Sequence, residues 1–322
     1  MNAIIYKERS FPPALEGLTV ALSRLPETHP MYGKIKQRAA SIKAGYGGEQ
    51  ELDRVLGNYT FPMPTHILND VSLSSSSLFQ IDTLILTQEF ALICEVKNIA
   101  GDLSVTENPP QLLRMSENGE ILGFPSPIAQ LTNTCQLFED WLSAKNINLP
   151  VLGCVVLAYP KQRLSIFKTP VPILFPSIIP QHIRSIHTNH PLLSPEEFES
   201  LARRMVKEHR AYSPKPVAEI YSIPPEDFLT GVACPACHAL GMMKNGQFWN
   251  CPSCRNRSTT AHKQAILDWF HLFGGPLTNK EWRRFCRVHC SQFTRRTLLN
   301  MNLVPVGASK NRGYMKENSS HI

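Results

Sequence analysis

Two short apolar runs, residues 80–86 and 90–97, dominate the hydrophobic pattern in the first half of the chain. Both are rich in β-branched and aliphatic residues, which favour strands, and the polar segment 87–89 between them is typical of a turn. The chain therefore centres on a predicted pair of adjacent strands. The same criteria predict further strands at residues 65–73, 98–105, 111–114, 120–122, 150–158 and 173–175.

Apolar positions at helical spacing predict helices on either side of these strands. They cover residues 15–25, 34–56, 127–145, 194–210, 261–273 and 278–289, and a further segment that begins near residue 291. Gly45, Gly47 and Gly48 lie inside the second of these helices. Because glycine lowers helix stability, they predict either a break or close packing at that point.

A proline-rich segment separates the two parts of the chain. Residues 211–230 contain four prolines and show no sustained periodicity, which is typical of a linker. With 322 residues, the chain is long enough for two or three domains. The predicted organisation is a first domain at residues 1–210, the linker, and two small C-terminal modules at residues 231–260 and 261–322.

The positive charge belongs to the C-terminal third. The formal net charge is +7, but residues 231–322 hold 13 Lys and Arg against three acids, whereas residues 1–230 hold 20 against 23. A basic module attached to a nearly neutral one suggests binding to a polyanion such as nucleic acid. The alternative is a basic face that only keeps the protein in solution.

The hydrophobic segments and the cysteines of the sequence indicate in which cellular compartment the protein is expected. No run of 18 apolar residues is present, so no membrane span is predicted, and the N-terminus lacks the pattern of a signal peptide. Nine cysteines, four of them in two C-x-x-C pairs, suit a metal site in a reducing compartment better than a disulfide framework. We therefore expect a cytoplasmic protein without membrane attachment.

Three charged residues interrupt the two central strands: Asp82, Glu95 and Lys97. Glu95 and Lys97 are two residues apart and point to the same face of a strand, and an antiparallel hairpin brings Asp82 alongside them. Burying two carboxylates and an ammonium together is costly unless they pair or hold a metal. The trio is therefore either a structural ion pair at a strand end or a catalytic site.

The order and spacing of these residues resemble the nuclease-related domain (NERD) family and its PD-(D/E)xK nuclease core, over about residues 40–145. The motifs are Gly45-Tyr46-Gly47-Gly48-Glu49, Gln80-Ile81-Asp82, Glu95-Val96-Lys97-Asn98 and Gly101. The resemblance implies an α/β fold with a restriction-endonuclease-like mixed sheet flanked by helices, and a catalytic Lys97 beside metal-binding Asp82 and Glu95. It departs at Thr83, where many members carry a histidine. This departure puts in doubt any role of such a histidine, but not the metal-binding acids.

Two further candidates enter through the resemblance, Glu49 and Gln130. In the family the acid corresponding to Glu49 completes the active site, although an exposed glutamate at a helix start is also favoured by the helix dipole. Gln130 lies in Pro-x-x-Gln, in the first turn of the helix after the core strands. It either binds substrate phosphate or a metal-bound water, or faces solvent.

Two C-x-x-C pairs lie 13 residues apart in the C-terminal third: Cys234, Cys237, Cys251 and Cys254. Four thiolates at this spacing offer a tetrahedral site for Zn²⁺, and the Asn245-Gly246 turn between them predicts the hairpin of a zinc ribbon. Four cysteines leave no open coordination position, so we expect a structural metal on which the small segment depends for folding. His238 is expected to be a neighbour rather than a ligand.

The basic helices after this ribbon resemble a helix-turn-helix module, with residues 304–314 as its wing. In that arrangement Arg295 and Arg296 lie at the start of the recognition helix, where contacts to the DNA groove are made. The alternative is a helical cap with a solvated basic face. Cys286 and Cys290 are spaced as metal ligands, but no further ligand pair accompanies them, so buried packing is expected.

Three functions fit these observations. The first is a nuclease dependent on Mg²⁺ or Mn²⁺ that cuts DNA, with the ribbon and the basic helices binding nucleic acid. The second is a nucleic-acid-binding or regulatory protein with an inactive nuclease fold, and the third is an interaction scaffold built on the zinc ribbon. Salt-dependent DNA affinity separates the third from the others, and metal-dependent cleavage separates the first from the second.

Overall fold

The computed structural model describes residues 3–107, 110–116, 118–159, 164–165, 169–308 and 312–316. The chain forms two compact units. Unit 1 consists of Met1–Phe11 and Lys43–Tyr212, and unit 2 consists of Pro12–Ile42 and Ser213–Ile322. None of the helices in the described residues is both long and apolar enough to cross a bilayer.

Unit 1 is built on a six-stranded mixed sheet with the strand order β1-β2-β3-β4-β8-β10. Strands β2, β3 and β4 are antiparallel neighbours, whereas the pairs β1–β2, β4–β8 and β8–β10 are parallel. The strands are β1 (Ile4–Lys7), β2 (Thr65–Ser74), β3 (Leu78–Thr87), β4 (Ala91–Lys97), β8 (Val151–Leu157) and β10 (Ile173–Leu174).

Helices cover both faces of this sheet, as its nearly continuous apolar strands require. Helices α3 (Pro127–Ser143) and α5 (Pro195–Glu208) bury residues such as Phe138 and Met205 in the core on one face. Helix α4 (Ile179–Ile186) and the C-terminal part of α2 (Tyr32–Gly57) form the core on the other. This arrangement confirms the predicted mixed α/β fold with a helix-flanked sheet.

A second, four-stranded sheet in unit 1 has the order β7-β6-β5-β9. Its strands are β5 (Asp102–Glu107), β6 (Pro110–Met115), β7 (Ile121–Pro125) and β9 (Leu164–Ser165). Most of it follows β4 directly in the chain and precedes α3, so it is an insertion between two elements that carry candidate site residues. The strands predicted at residues 111–114 and 120–122 correspond to β6 and β7, which pair in antiparallel orientation.

In the middle of β2 and β3, the regular alternation of side chains between the two faces of the sheet is interrupted. Leu68 and Val71 belong to the same hydrophobic cluster, as do Ile81 and Leu84, although residues three apart in a regular strand lie on opposite faces. Asp70 lies at this reversal and has a left-handed backbone with φ 52°. Non-glycine residues seldom adopt this conformation, and aspartate is among those that tolerate it best.

A hydrophobic cluster in unit 2 includes residues of the cysteine-rich segment and of the basic helices. Its helices are α1 (Pro13–Arg24), α6 (Val217–Tyr221), α7 (Ala261–Phe273), α8 (Asn279–Cys286) and α9 (Ser291–Leu299). One three-stranded sheet consists of β11 (Met243–Asn245), β12 (Phe248–Asn250) and β13 (Arg257–Ser258). Another has the order β14-β16-β15, from β14 (Leu277–Thr278), β15 (Leu303–Val306) and β16 (Gly313–Lys316).

The observed units differ from the predicted domains in two places. Residues 12–42 belong to unit 2, because α1 buries Leu15, Leu18 and Ala21 in the core of that unit. Of the expected linker at residues 211–230, residues 213–230 are also part of unit 2, where the apolar Val217 is buried in the same cluster. The prolines of this segment lie next to short structured elements. The segment therefore has the composition of a linker although it is folded.

Candidate active site and cysteine cluster

The central hairpin brings Asp82, Glu95 and Lys97 together. Strands β3 and β4 pair with Thr83 opposite Cys94, and the backbone N–H of Val96 donates to Asp82 Oδ2 at 3.1 Å. The Lys97 ammonium donates to Glu95 Oε1 at 2.6 Å, and Glu95 is only 1% exposed. Because apolar residues flank these positions in both strands, the buried charged groups are stabilised by pairing with one another.

Gln130 contacts Lys97. Ser126 caps α3 with its hydroxyl, and Pro127 occupies the first helical position, so Gln130 lies in the first turn. Its Oε1 accepts a hydrogen bond from Lys97 Nζ at 3.1 Å. Gln130 is therefore placed to orient the ammonium between Glu95 and solvent.

Glu49 approaches from α2 and pairs with an arginine that the sequence did not single out. Arg9 follows β1, and its Nη1 donates to Glu49 Oε2 at 3.0 Å. The same guanidinium binds Asp53 through Nε at 2.7 Å and Nη2 at 3.0 Å, and it binds Asp70 Oδ1 at 3.0 Å. Glu49 is thus neither an exposed helix-start residue nor free of a partner.

Arg9 also touches the strand that carries Asp82. It donates to the Asp82 carbonyl oxygen at 3.1 Å and to Thr83 Oγ1 at 2.7 Å. Thr83, at the position where the motif comparison expected histidine, is fully buried and supplies an acceptor for Arg9. No periodicity or motif marks Arg9, because its partners lie 40 to 74 residues away in the chain.

Burial and like-charge crowding perturb the acids of this site. Burial, followed by the Asp82 charge, raises the pKa of both Glu95 and Glu49 to about 7. Burial also raises the pKa of Asp82 above its ordinary value, against the opposing charge of Lys97. Burial alone would lower the pKa of Arg9, but its ion pairs with acids such as Asp53 outweigh burial and raise it.

The free oxygens of Asp82 and Glu95 suit a hard divalent cation. Among the described residues, each carboxylate has one oxygen in a hydrogen bond to the protein and no such bond to the other oxygen. Mg²⁺ is commonly held by one or two carboxylates, with water and substrate phosphate completing the shell. The donor set therefore fits a site of that kind, but not a closed cage made by the protein alone.

A close contact fixes α2, and with it Glu49, over the end of β4. A Cβ added at Gly48 would lie 2.8 Å from Asn98 Cβ and 2.9 Å from Ala158 Cβ. The Asn98 amide donates to the Ala44 carbonyl one turn earlier, at 2.7 Å. Of the two outcomes that the glycines allowed, close packing is thus the correct one, since α2 continues unbroken to Gly57.

The four predicted cysteine ligands form a compact cluster in unit 2. Their sulfur atoms lie within 4.8 Å of one another, and this is the one such group of three or more potential ligands in the described residues. Burial disfavours the thiolate of Cys234, but backbone N–H groups of Cys237 and Ala236 outweigh it and lower the pKa to about 6. The arrangement is compatible with a zinc ribbon, with the predicted hairpin formed by β11 and β12.

His238 and Arg255 close the two cysteine knuckles with left-handed backbones, at φ 60° and 61°. Their backbone N–H groups donate to the carbonyls of Cys234 and Cys251, respectively. His238 is not part of the ligand group, as expected. Instead, the left-handed backbone of His238 closes the turn that brings the sulfur atoms of Cys234 and Cys237 together.

The basic residues Arg295 and Arg296 are exposed on α9. They share one side of the helix with Ser291, Gln292 and Asn300, whereas Thr294 and Leu298 face the core. The element order is α7-β14-α8-α9-β15-β16, and β14 joins the β15–β16 hairpin. A strand pair thus follows α9 directly, at the position where the sequence predicted a wing. We refer to the exposed side of α9 as the α9 face.

Cys286 and Cys290 do not form a metal site with other described residues. Cys286 is buried at the end of α8, and burial raises the pKa of its thiol. The Cys290 sulfur instead accepts a hydrogen bond from Phe293 N and caps α9. Cys286 thus follows the packing expectation, whereas Cys290 is exposed and serves as a helix cap.

Residues 44–158 match the family model of the nuclease-related domain. The match begins in α2, ends just after β8, and includes the five candidate residues Glu49, Asp82, Glu95, Lys97 and Gln130. This part of unit 1 is therefore similar to the nuclease-related domain, in agreement with the motif resemblance. No curated protein and no solved structure matches the chain.

Proposed function

We propose that this chain is a metal-dependent nuclease that hydrolyses phosphodiester bonds in DNA. The single observation that carries the proposal is the group Asp82, Glu95 and Lys97 at the central hairpin of a nuclease-related domain. Two partly free carboxylates beside an ammonium provide a place for a divalent cation and for a group that handles water. An exposed basic helix in unit 2 supplies a surface for the substrate.

In this proposal Asp82 and Glu95 hold Mg²⁺ or Mn²⁺ through their free oxygens. The bound ion would polarise the phosphate and lower the pKa of a water molecule. The Lys97 ammonium orients that water and stabilises charge on the phosphate, and Gln130 holds the ammonium in position. Glu49 contributes a further carboxylate to the site from α2.

The α9 face and the wing are proposed to bind DNA. In this proposal Arg295 and Arg296, which lie in the middle of α9 and not at its start, contact the groove, and the exposed Arg312 and Lys316 on the wing contact phosphate. No acid lies on the α9 face to oppose these charges. The four-cysteine cluster is proposed to bind Zn²⁺ with a structural role, because four thiolates leave no coordination position open.

Cleavage of labelled plasmid and linear DNA with and without Mg²⁺ or Mn²⁺ tests the proposal. Asp82→Asn keeps an oxygen that can accept from Val96 but removes a charge, and Lys97→Ala removes the ammonium. We expect each variant to lose cleavage by at least about a hundredfold while DNA binding is retained. Full cleavage by both variants would end the assignment of the site.

The variant Arg295→Ala/Arg296→Ala tests the binding surface separately. We expect weaker DNA affinity and a smaller dependence of affinity on salt, because fewer phosphate counterions are released. Parallel assays on RNA of the same sequence decide between the two nucleic acids. Unchanged DNA affinity and salt dependence would place the substrate surface elsewhere.

A second candidate, a nucleic-acid-binding protein with an inactive nuclease fold, is favoured by one observation. Glu95 and Glu49 are each paired with a cation of the protein, Lys97 and Arg9. Salt-sensitive DNA binding without cleavage in either metal would support this candidate. Neither binding nor cleavage would instead favour an interaction scaffold built on the cysteine ribbon.

A further inference from the structure

A groove of about 600 Å³ opens on unit 2 between α7, the end of α9 and the β15–β16 pair. On α7 it is lined by Lys263 and Leu267, which lie about one turn apart on the exposed side of the helix. Its volume is within the range of pockets that bind small molecules, about 300–1,000 Å³. No residue of the acidic site of unit 1 belongs to it, so the groove is a separate candidate for binding.

The rest of the described lining comes from the chain that leaves α9 and enters β15. Asn300, Met301 and Asn302 follow the last residue of the helix, and the next residue, Leu303, pairs directly with Lys316 of β16. Residues opposite each other in an antiparallel pair have their side chains on the same face of the sheet, so Leu303 and Lys316 reach the groove together. Met301 and Leu303 also pack against the hydrophobic cluster of unit 2, which fixes this side of the groove.

Four exposed polar side chains line the groove: the amides of Asn300 and Asn302 and the ammonium groups of Lys263 and Lys316. None of them makes a side-chain hydrogen bond or an ion pair with another described residue. No acid is present in the described lining to neutralise the two lysines. The groove therefore offers positive charge, hydrogen-bond donors and hydrogen-bond acceptors to a ligand.

These groups match the parts of a nucleotide. An ammonium binds phosphate as a point charge. An asparagine amide carries both donors and an acceptor, and can therefore pair with the hydrogen-bonding edge of a base. Leu267 and Met301 provide apolar surface for the flat face of the base, and the sulfur of methionine makes favourable contacts with aromatic rings.

Other ligands would use less of this lining. Inorganic phosphate would leave the half-buried Leu267, Met301 and Leu303 in contact with water. An amphiphile such as a fatty acid would cover them but leave both asparagine amides without hydrogen bonds, which is costly in a dehydrated contact. A metal ion is disfavoured by two ammonium groups and by the lack of a carboxylate in the described lining.

The groove adjoins the α9 face at Asn300, which belongs to both and lies about one turn beyond Arg296. A nucleic-acid strand held by the α9 face is therefore able to place one of its nucleotides in the groove. Taking a base out of a duplex costs the energy of unstacking and unpairing, whereas an already single-stranded base avoids most of this cost. A single-stranded end is thus the form of nucleic acid that suits the groove best.

We propose that this groove binds one unpaired nucleotide through its phosphate and its base. Lys263 and Lys316 supply the charge for the phosphate, and Asn300 and Asn302 contact the edge of the base. The nucleotide comes either from solution or from a strand at the α9 face. For a strand, the inference rests on the proposed function, to which it adds a preference for single-stranded ends.

Calorimetric titration of the full-length, zinc-loaded protein with adenosine monophosphate (AMP) tests the site independently of cleavage. We expect one AMP per chain, whereas adenosine and inorganic phosphate should each bind at least about tenfold more weakly, because each makes only part of the contacts. The variant Lys263→Ala/Lys316→Ala should bind AMP at least about tenfold more weakly than the wild type. An AMP affinity no greater than that of phosphate, or unchanged in this variant, would overturn the proposal.

Lys34→Ala/Lys280→Ala is the matched control. Both lysines are exposed in unit 2, lie outside the lining of the groove and form no ion pair with another described residue. The control thus removes the same charge from the same unit, and we expect it to keep the wild-type affinity for AMP. Equal losses in the two double variants would show that only the overall charge matters, and would overturn the proposal.

Asn302→Ala separates recognition of the base from recognition of the phosphate. It leaves both lysines of the groove in place, and the exposed position of Asn302 makes a folding defect unlikely to accompany the change. We expect weaker binding of AMP and unchanged binding of inorganic phosphate. Wild-type affinity of this variant for AMP would contradict contact with the base.

DNA binding distinguishes the two sources of the nucleotide. Fluorescence anisotropy compares two duplexes with the same number of phosphates, one blunt and one with a single-stranded end. For a strand in the groove, the wild type should bind the second at least about fivefold more tightly, Asn302→Ala should lose this preference, and AMP should displace the end. AMP binding that does not compete with DNA assigns the groove to a free nucleotide. If AMP binds but no DNA is cut, the proposed function fails and the groove stands, whereas cleavage without AMP binding overturns the groove alone.

Discussion

The two polar sites of this molecule are built in opposite ways. The cysteine cluster takes its four sulfur atoms from residues 234–254, within two short turns. The acidic site of unit 1 draws Arg9, Glu49, Asp82, Glu95 and Gln130 from five separate segments of the chain. Local spacing is thus sufficient for the first site, whereas the second exists only once the sheet and its helices have assembled.

The two sites also differ in how their charges are balanced. The acids of unit 1 have internal cations, since Lys97 pairs with Glu95 and Arg9 pairs with Glu49. The cysteine sulfurs hydrogen-bond mainly with one another and with backbone N–H groups, for example Cys234 with Cys254 at 3.6 Å. Loss of a metal is therefore expected to damage unit 2 far more than unit 1.

The largest expected effect comes from Cys251→Ser. Cys251 is 3% exposed and belongs to the same hydrophobic cluster as Trp249, so a polar hydroxyl in place of its sulfur disturbs the core of unit 2. We expect loss of bound zinc and a destabilisation on the order of 5 kcal/mol or more. Tryptophan fluorescence reports the change, because three of the four tryptophans, Trp249, Trp269 and Trp282, belong to unit 2.

Cys290→Ser is the control for this substitution. Cys290 is exposed and only caps α9, and serine is the better helix cap. We expect wild-type zinc content and an unfolding midpoint at or slightly above that of the wild type. A Cys251→Ser protein that also keeps its zinc and its midpoint would show that unit 2 does not depend on the cluster.

Lowering the pH is expected to destabilise unit 2 through protonation of His262. Trp249 donates its indole N–H to His262 Nδ1 at 3.0 Å, and burial, with the charges of Lys263 and Lys244, lowers the pKa of His262 to about 4. In the unfolded chain His262 takes up a proton near pH 6.5, whereas in the folded protein it does so only near pH 4. The free energy of unfolding therefore falls as the pH decreases from about 6.5 to about 4. The loss is about 3 kcal/mol as an order of magnitude.

His262→Asn separates this effect from protonation of the cysteines. The asparagine oxygen can accept from Trp249 but does not titrate, and the four thiolates remain. Measured by urea unfolding between pH 7 and pH 4.5, the stability of the variant should therefore depend less steeply on pH than that of the wild type. Parallel slopes for the two proteins would rule out His262 as the source of the acid sensitivity.

The same contrast explains which features could be predicted from the sequence. The cysteine hairpin, the helix predicted to begin near residue 278 and the strand pair around residues 87–89 depend on neighbours in the chain, and the structure contains all three. Local propensity and turn chemistry are sufficient for such features. The polar residues of the central strands were therefore visible as candidates, although their catalytic roles stay predictions.

Arg9, Asp53 and Asp70 were not predicted, for a physical reason. Each reads locally as an ordinary charged residue, and only the packing of β1, α2 and β2 places them together. The left-handed backbone of Asp70 likewise has no signature in a run that reads as a regular strand. The same limit applies to residues 12–42, whose apolar positions predicted a helix but not the unit in which it packs.

The smallest expected effect, and the closest test of how long-range packing places Glu49, compares two adjacent glycines of α2. A Cβ at Gly47 would meet nothing within 4 Å, whereas one at Gly48 would press on Asn98 and Ala158. Gly47→Ala should therefore stabilise the helix by roughly 1 kcal/mol. Gly48→Ala should cost about 1–3 kcal/mol and, because α2 must shift with Glu49, also reduce metal-dependent cleavage. Thermal unfolding and cleavage assays on both variants measure this contrast, and equal behaviour of the two would mean that α2 does not hold Glu49 through this contact.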